Sequence, residues 1–450
     1  MDVYETGNCL FTNFLQNMIT NPLLRVPKNP IKHFTESKMT LLNYINLLNK
    51  GFTIPEKGFT TIEERDTYYR WWCEVLIVPK KYRPIKKQYL FIESQPQYEQ
   101  KSQEWLDQRK NFITASSGAE AIGESKYTSA RKMMIDKVGL GKPFKENKNV
   151  WHGKKSETIA TLIYEYIYNV KVGEFGLIPH LGKGQNKVPF LGASPDGICT
   201  WSTLDGQFTD FLGIMLEIKC VTSRVINDTG PEHILHYTEK KDPGIVPHYY
   251  WVQIQLQLEC CNLELCHFWQ CKLIDYWSLQ LLEKGIRENP VTKHVREQGI
   301  EYNIDPRLEV GTFIELLPKD TSNIPSDEKV MWYGKYIYPP NMLTSLEKKI
   351  EWAQMMKIRW KEFYPQYVQD YNFGKIIYYR LEKSHCYLVK RDKTWFNEAL
   401  PRFRTFWDQV LLYRDNPEKK KELINELALE EAKKMETKRK SRMEVKFEED

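Results

Sequence analysis

None of the nine cysteines forms a Cys-x-x-Cys pair. Cys266, His267 and Cys271 are too sparse for a structural zinc site, and buried free thiols are the expectation. The odd count, with no signal peptide, predicts an intracellular, reducing setting, in a host cell or a virion if the chain is viral. No apolar run reaches the ~20 residues of a membrane span, so no membrane partner is expected. A G-x-x-x-x-G-K-[ST] phosphate loop and internal repeats are also lacking, which excludes a built-in ATP motor and a solenoid. Charge excess is small. Lys and Arg total 65 against 59 Asp and Glu, a net charge of +6. Nucleic-acid binding would therefore need local basic patches rather than bulk attraction.

What is present is length, apolar content and aromatic rings. The 450 residues suffice for two or three domains, and 41% hydrophobic content supports a sizeable core. Residues 1–92 read as a helical N-terminal region, with helical patterns near 8–20 and 37–50 and an aromatic segment at 62–78. The basic run 79–87 has two readings: a nucleic-acid path with Tyr82 as a stacking platform, or a solvated linker. Residues 93–284 read as the core and 285–415 as a mixed C-terminal accessory region. There, 342–362 is a predicted helix whose stripe of Trp352, Met355, Met356, Ile358 and Trp360 reads as core. Residues 416–450 read as a charged helical tail.

The chemistry concentrates at Ser194-Pro195-Asp196-Gly197 and Glu217-Ile218-Lys219. Residues 189–199 read as a strand breaking into a turn, and 213–221 as a buried strand. Side chains alternate across a strand, so Glu217 and Lys219 share a face. If the two segments pair as a hairpin, Asp196 comes beside both. Two carboxylates and the Ile218 carbonyl would then hold a hard divalent cation through oxygen. Such a cation activates water, and Lys219 would stabilise developing negative charge on phosphate. A hairpin with a solvated charged tip fits the same residues.

The flanking segments carry further candidates. Residues 104–123 read as a helix, a tight turn and a second helix starting among hydroxyls. Arg109 beside free N–H groups makes an anion site, while Thr114 or Ser116 may equally be a plain cap. A helix of roughly four turns opens at Trp151, with Ile159, Ala160, Ile163, Tyr164 and Ile167 on its buried face. Glu157 either caps its first turn or reaches inward to a cation. Residues 248–258 read as a buried amphipathic helix with Gln253 and Gln257 on one face. That face is either wet or aimed at the reacting water or lysine. Residues 264–276 read as a further strand.

Five blocks stand in order: E-W-L-D-Q-R-K-N-F-I-T-A-S, W-H-G-K-K-S-E, G-A-S-P-D-G, L-E-I-K-C followed by T-S-R, and Y-W-V-Q-I-Q. Over about residues 95–280 the chain resembles the lambda-type exonuclease, or YqaJ-like viral recombinase, branch of the PD-(D/E)XK nucleases. The resemblance implies an α/β (α+β) fold, a restriction-endonuclease-like core of a central mixed sheet flanked by helices. It implies an Mg²⁺-dependent deoxyribonuclease, with Mn²⁺ as a substitute, acting 5′→3′ on duplex DNA ends in recombination, repair or replication. Asp196, Glu217 and the Ile218 carbonyl inherit the metal, and Lys219 the catalytic lysine. Glu157 inherits a supporting place at the second metal or its water, and Gln253 a contact to the lysine or water. Arg109 and Ser116 inherit the pocket for a DNA 5′ phosphate.

Arg224 is a further phosphate contact by the same resemblance. The family often has a Pro between the Cys and T-S-R, and Cys220-Val221-Thr222-Ser223-Arg224 lacks it. The resemblance also implies a homotrimer and a single-strand annealing protein as partners. A structure-specific endonuclease, or a nuclease that also takes RNA, is the alternative within the same chemistry. An inactive DNA-binding scaffold is the alternative of another class.

Overall fold

The protein was analysed as a computed structural model. It describes residues 78–447 apart from 99, 101, 142–144, 183–186, 205–206, 236–243, 289–292, 296–300, 303–308 and 340–344. The expected helices before residue 78, Cys9 and Cys73 lie outside the described residues. The chain divides into units 1–86 and 87–450. The described part of the first, residues 78–86, holds one 3-10 turn, Lys80–Tyr82, which leads into helix α1 (Arg83–Glu93). The basic run thus forms a 3-10 turn and the start of a helix.

In the second unit, α2 (Gln103–Arg109) is capped by Ser102, whose hydroxyl accepts the Trp105 amide. Strand β1 (Ile113–Thr114) follows, then a 3-10 turn at Ala115–Ser117 and α3 (Gly118–Ala121). A Cβ at Gly118 would run into Leu256 Cδ1, so the small residue lets this turn seat against the later helix. Helix α4 (Ala130–Val138) ends at Gly139, which is left-handed at φ 86°.

Helix α5 spans Lys148–Tyr168 and starts before the expected Trp151. Asn147 is its cap, with Oδ1 accepting the Asn149 and Val150 amides. Glu157 therefore sits well inside the helix, and the first-turn capping reading falls. Short strands β2 (Val172–Gly173), β3 (Ile178–Pro179), β4 (Leu191–Ala193) and β5 (Gly197–Cys199) come next. Then come β6 (Met215–Cys220), α6 (His248–Cys261) and β7 (Leu265–Tyr276). β6 and β7 are parallel, so a crossover is required, and α6 supplies it.

The chain continues through α7 (Leu279–Glu288), β8 (Lys293–Val295), β9 (Glu301–Tyr302), β10 (Val310–Pro318) and β11 (Lys335–Ile337). It ends with α8 (Leu346–Phe363), β12 (Tyr371–Lys390), α9 (Lys393–Asp415) and α10 (Pro417–Phe447).

The fold is mixed α/β, with a central mixed sheet and helices around it. Its main path runs β11-β10-β12-β7-β6-β5-β2, and β1-β4-β3 form a second, three-stranded sheet. β12 lies antiparallel between β7 and β10. The strands of 285–415 thus extend the core sheet, so the sequence boundary near 284 is no boundary in the sheet. On one face, Ile159, Ala160, Ile163 and Tyr164 of α5 pack on Leu216, Ile218, Trp269 and Leu273. Trp269 Nε1 donates to the Ala160 carbonyl at 3.1 Å, which fixes the helix on the sheet.

Two expectations about packing change. Trp352, Met356 and Trp360 of α8 are buried against β10 and β11, but Met355 and Ile358 are exposed. Met355 and Ile358 therefore lie on the opposite face from Trp352, Met356 and Trp360. The charged tail is a helix, but Leu423 is buried and Arg131 of α4 pairs with Glu426 and Glu430. Described cysteines are free, and all but Cys220 are buried. His267 bonds the Tyr164 hydroxyl at 2.7 Å, a core contact rather than a metal ligand.

Candidate nuclease centre and phosphate pocket

The two motif strands pair as an antiparallel hairpin, with Gly197 opposite Leu216 and Ile198 opposite Met215. β5 stops at Gly197 because Asp196 begins the turn. A Cβ at Gly197 would collide with Val172 Cγ1 of β2, so the Asp-Gly step is needed for close strand approach. Beyond Leu216, β6 has no partner on this side, and Asp196 fills the gap. Its Oδ2 accepts the Ile218 amide at 2.6 Å. In an extended strand a residue's N–H and C=O point the same way, so the Ile218 carbonyl also faces Asp196.

Alternation does the rest. Leu216 and Ile218 point into the core against α5, so Glu217 and Lys219 point to the opposite face, where α6 lies. Glu217 is fully buried there. Its Oε1 accepts from Lys219 and, at 2.8 Å, from Gln253 Nε2. Its Oε2 accepts from Gln257 Nε2 at 2.7 Å. Gln253 thus holds the glutamate rather than the lysine. Gln257, with no exposed surface, is a second grip that the reading of this helix left unassigned. Its spacing four residues after Gln253 was the available signal.

The electrostatics are strained without a cation. Burial, then the neighbouring Glu217 and Glu157, hold the Asp196 carboxyl well above its usual range, and Lys219 only partly offsets this. Burial opposes charge on Lys219, but Glu217 and Asp196 outweigh it and keep the ammonium charged. Among the described residues no three His, Cys, Asp or Glu groups converge as a ready chelate. Glu157 acts on Asp196 through its charge and is not part of such a cluster. Two carboxylates and one carbonyl still fit a hard cation that keeps much of its water, as Mg²⁺ does. A cation there would also relieve the carboxylate repulsion around Asp196.

The pocket lies next to this centre. Arg109 Nη2 donates to Thr114 Oγ1 at 3.4 Å and Ser116 Oγ at 3.3 Å. Its guanidinium lies 4.3 Å from the Trp105 ring centroid. Trp105 Nε1 donates to Ser194 Oγ at 3.2 Å, two residues before Asp196. One tryptophan therefore links the arginine to the Ser194–Gly197 turn. Arg109 has no carboxylate partner among the described residues, and burial lowers its pKa to about 10. Lys137 of α4 adds a cation that no motif or spacing points to. Its Nζ donates to the Arg109 carbonyl at 2.9 Å. Burial, then Arg109 and Arg414, bring its pKa down to about 7. Arg109 and Lys137 outnumber the one acid acting on them, Asp136, which suits an anion.

Arg224 lies on the other side of the centre. Its Nη2 donates to Gln270 Oε1 at 2.6 Å, and its guanidinium stands 5.9 Å from the Tyr250 ring. Its Nη1 is buried without a partner among the described residues. Lys219 lies 4.9 Å from the same ring.

Residues 104–264 match the YqaJ-like viral recombinase domain. An uncharacterized protein of Acanthamoeba polyphaga mimivirus is 36% identical over 335 residues. The overlap is 74% of this chain and 56% of that protein, so the chain spans little more than half the length of this relative. The solved structures of an alkaline exonuclease from Laribacter hongkongensis, one of them with dAMP, cover 72% of this chain and 100% of theirs. They share 15% identity at a TM-score of 0.33. Among the described residues no helix is long and apolar enough to cross a membrane. Residues 104–264 are thus similar to the YqaJ-like viral recombinase domain.

Proposed function

We propose that this protein is a metal-dependent DNA exonuclease that resects duplex ends 5′→3′, hydrolysing phosphodiester bonds for recombination, repair or replication of DNA. The observation that carries the reading is the gathering of Asp196, Glu217 and Lys219 beside a pocket of Arg109, Thr114, Ser116 and Lys137. A metal site and an end-phosphate grip linked through Trp105 suit a strand held by its terminus and cut nearby.

Asp196, Glu217 and the Ile218 carbonyl would hold Mg²⁺, with Mn²⁺ as a substitute and Glu157 adding negative charge. A cation bound there supplies Lewis-acid polarisation of the phosphate and a more acidic water. The chain's own groups do the remainder. Lys219, kept charged by its carboxylate neighbours, donates to oxygen at the scissile phosphate. Gln253 and Gln257 hold Glu217 in one orientation by charge-assisted hydrogen bonds. Arg109, Ser116 and Thr114 bind the terminal phosphate, and Lys137 adds charge behind them. Arg224 contacts a neighbouring phosphate.

A homotrimer around DNA and a single-strand annealing partner belong to the same proposal, on the strength of the family resemblance. Light scattering on the purified chain tests the first. The activity is tested by incubating a linear 5′-phosphorylated duplex and a covalently closed circle with Mg²⁺ or chelator. Loss of the linear species alone, only with the metal, supports the reading. Efficient cutting of the circle contradicts the requirement for an end.

A further inference from the structure

Three tyrosines form a row that leads away from the catalytic lysine. Tyr250 of α6 lies under Lys219 and Arg224, with Lys219 Nζ 4.9 Å from its centroid. Tyr249 stands 4.2 Å from Tyr250, centroid to centroid, at 54°. Tyr127 stands 5.2 Å from Tyr249 at 83°, with the two hydroxyls 3.5 Å apart. Tyr127 ends the row and is 65% exposed. Lys126 lies 5.0 Å from its ring. Cations therefore stand at both ends.

The row is fixed in place by groups other than its own rings. Tyr127 sits on the loop between α3 and α4. Ser125 Oγ donates to Glu120 Oε1 at 3.1 Å and accepts the Tyr127 amide at 3.2 Å. Glu124 bonds His248 Nε2 at 2.8 Å, which clamps the loop to the start of α6. Arg402 Nη1 holds the other Glu124 oxygen at 2.5 Å. A ring this exposed adds little to packing, yet its loop is tied down from two sides.

We propose that Tyr127, Tyr249 and Tyr250 are a stacking track for unpaired bases of the substrate strand beside the scissile phosphate. This rests on the nuclease reading above and deepens it, by naming unpaired nucleotides as what the centre engages. Bases within a duplex are already stacked on one another, so only separated bases gain from the rings. Rings with cations at both ends suit both parts of a nucleotide: base on ring, phosphate on ammonium or guanidinium. The track extends from Lys219, so strand separation occurs at the centre and not at a distant site.

The test uses the full-length wild-type protein in chelator, so that binding is read without cleavage. Two single-stranded probes of equal length are compared by fluorescence anisotropy, one of thymidylates and one of abasic residues. Both carry the same phosphates, so only stacking separates them. The thymidylate strand should bind roughly tenfold more tightly. Tyr127→Ala should reduce that ratio several-fold, Tyr127→Phe should keep it, and Tyr127→Ala with Tyr249→Ala should bring it near one. Tyr127 lies on an exposed loop, so its single variant reads the effect even if the double variant fails to fold. Equal binding of the two probes by the wild type, or an unchanged ratio in Tyr127→Ala, overturns the track. Digestion of linear duplex with Mg²⁺ by the same preparation reads the nuclease function separately. A base-dependent ratio without digestion would keep the track and sink the nuclease reading, and the reverse result would do the opposite.

Discussion

Gln257 Nε2 donates to Glu217 Oε2 at 2.7 Å, while Gln253, one helical turn earlier, holds Oε1 at 2.8 Å. The helix that bridges two parallel strands thus grips the buried glutamate with both amides. Replacing Gln257 by Leu keeps much of the volume but strips Oε2 of its donor. An unsatisfied buried acceptor costs about 1–3 kcal/mol, more when charged. Gln257→Leu should therefore lower the urea midpoint and cut kcat. Gln253→Ala, at a half-buried position, should lower kcat with a smaller loss of stability. Chemical denaturation and steady-state digestion of the two variants check this order.

Asp196 predicts a conflict between stability and function. Its carboxyl pKa is raised in the fold, so the native state holds a proton that the unfolded chain releases. For such a group stability is greatest at low pH and falls as pH rises above the unfolded carboxylate value. Asp196→Asn removes the charge and should raise the melting temperature at neutral pH in chelator, while abolishing cleavage. Mg²⁺ should stabilise the wild type more than this variant. Equal stabilisation of both by Mg²⁺ would count against Asp196 as a ligand.

Lys137 gives the pocket a pH dependence. Its pKa of about 7 means that the free protein loses this charge as pH rises through neutrality. A bound phosphate dianion favours the charged lysine, so binding takes up a proton. The preference for a 5′-phosphorylated over a 5′-hydroxyl end should shrink above about pH 7. Lys137→Met should flatten that dependence, and Arg109→Ala should remove most of the preference at every pH. Competition binding of the two duplexes across pH measures it.

The seating of α5 on β7 also answers to a single test. Lys155 of α5 is fully buried, paired with Asp275 of β7, and stacked 3.9 Å from the Trp151 ring centroid. Breaking a buried pair from one side costs about 3–5 kcal/mol, whereas replacing both partners is far milder. Lys155→Met should lower the melting temperature sharply, and adding Asp275→Leu should recover much of it. A double variant no better than the single would show that the pair is not the source of the loss.

Much of the site was legible because it is local. Asp196, Glu217 and Lys219 lie on two strands joined by one connection, and strand alternation alone puts the last two on one face. Block order then placed Gln253 and Glu157. What escaped was set by packing between distant segments. Lys137 reaches Arg109 because α4 folds back over α2, and no spacing in the sequence encodes that. Gln257 shares a face with Gln253 by spacing, but periodicity does not say whether that face of α6 meets water or the sheet. The extension of the sheet by β10 and β12 was equally hidden, because pairing between strands a hundred residues apart leaves no local pattern. On α8, an apolar stripe was legible, but which apolar residues faced the sheet was not.

The central claim is that Asp196, Glu217 and Lys219 form a metal-dependent nuclease centre. The most direct measurement is release of nucleotides from a linear, 5′-phosphorylated duplex by wild type, Asp196→Ala and Lys219→Ala, with Mg²⁺ and with chelator. Release by the wild type with Mg²⁺ alone, with both variants folded and inactive, is the predicted result. Undiminished release by either variant, or by the wild type in chelator, would contradict the account.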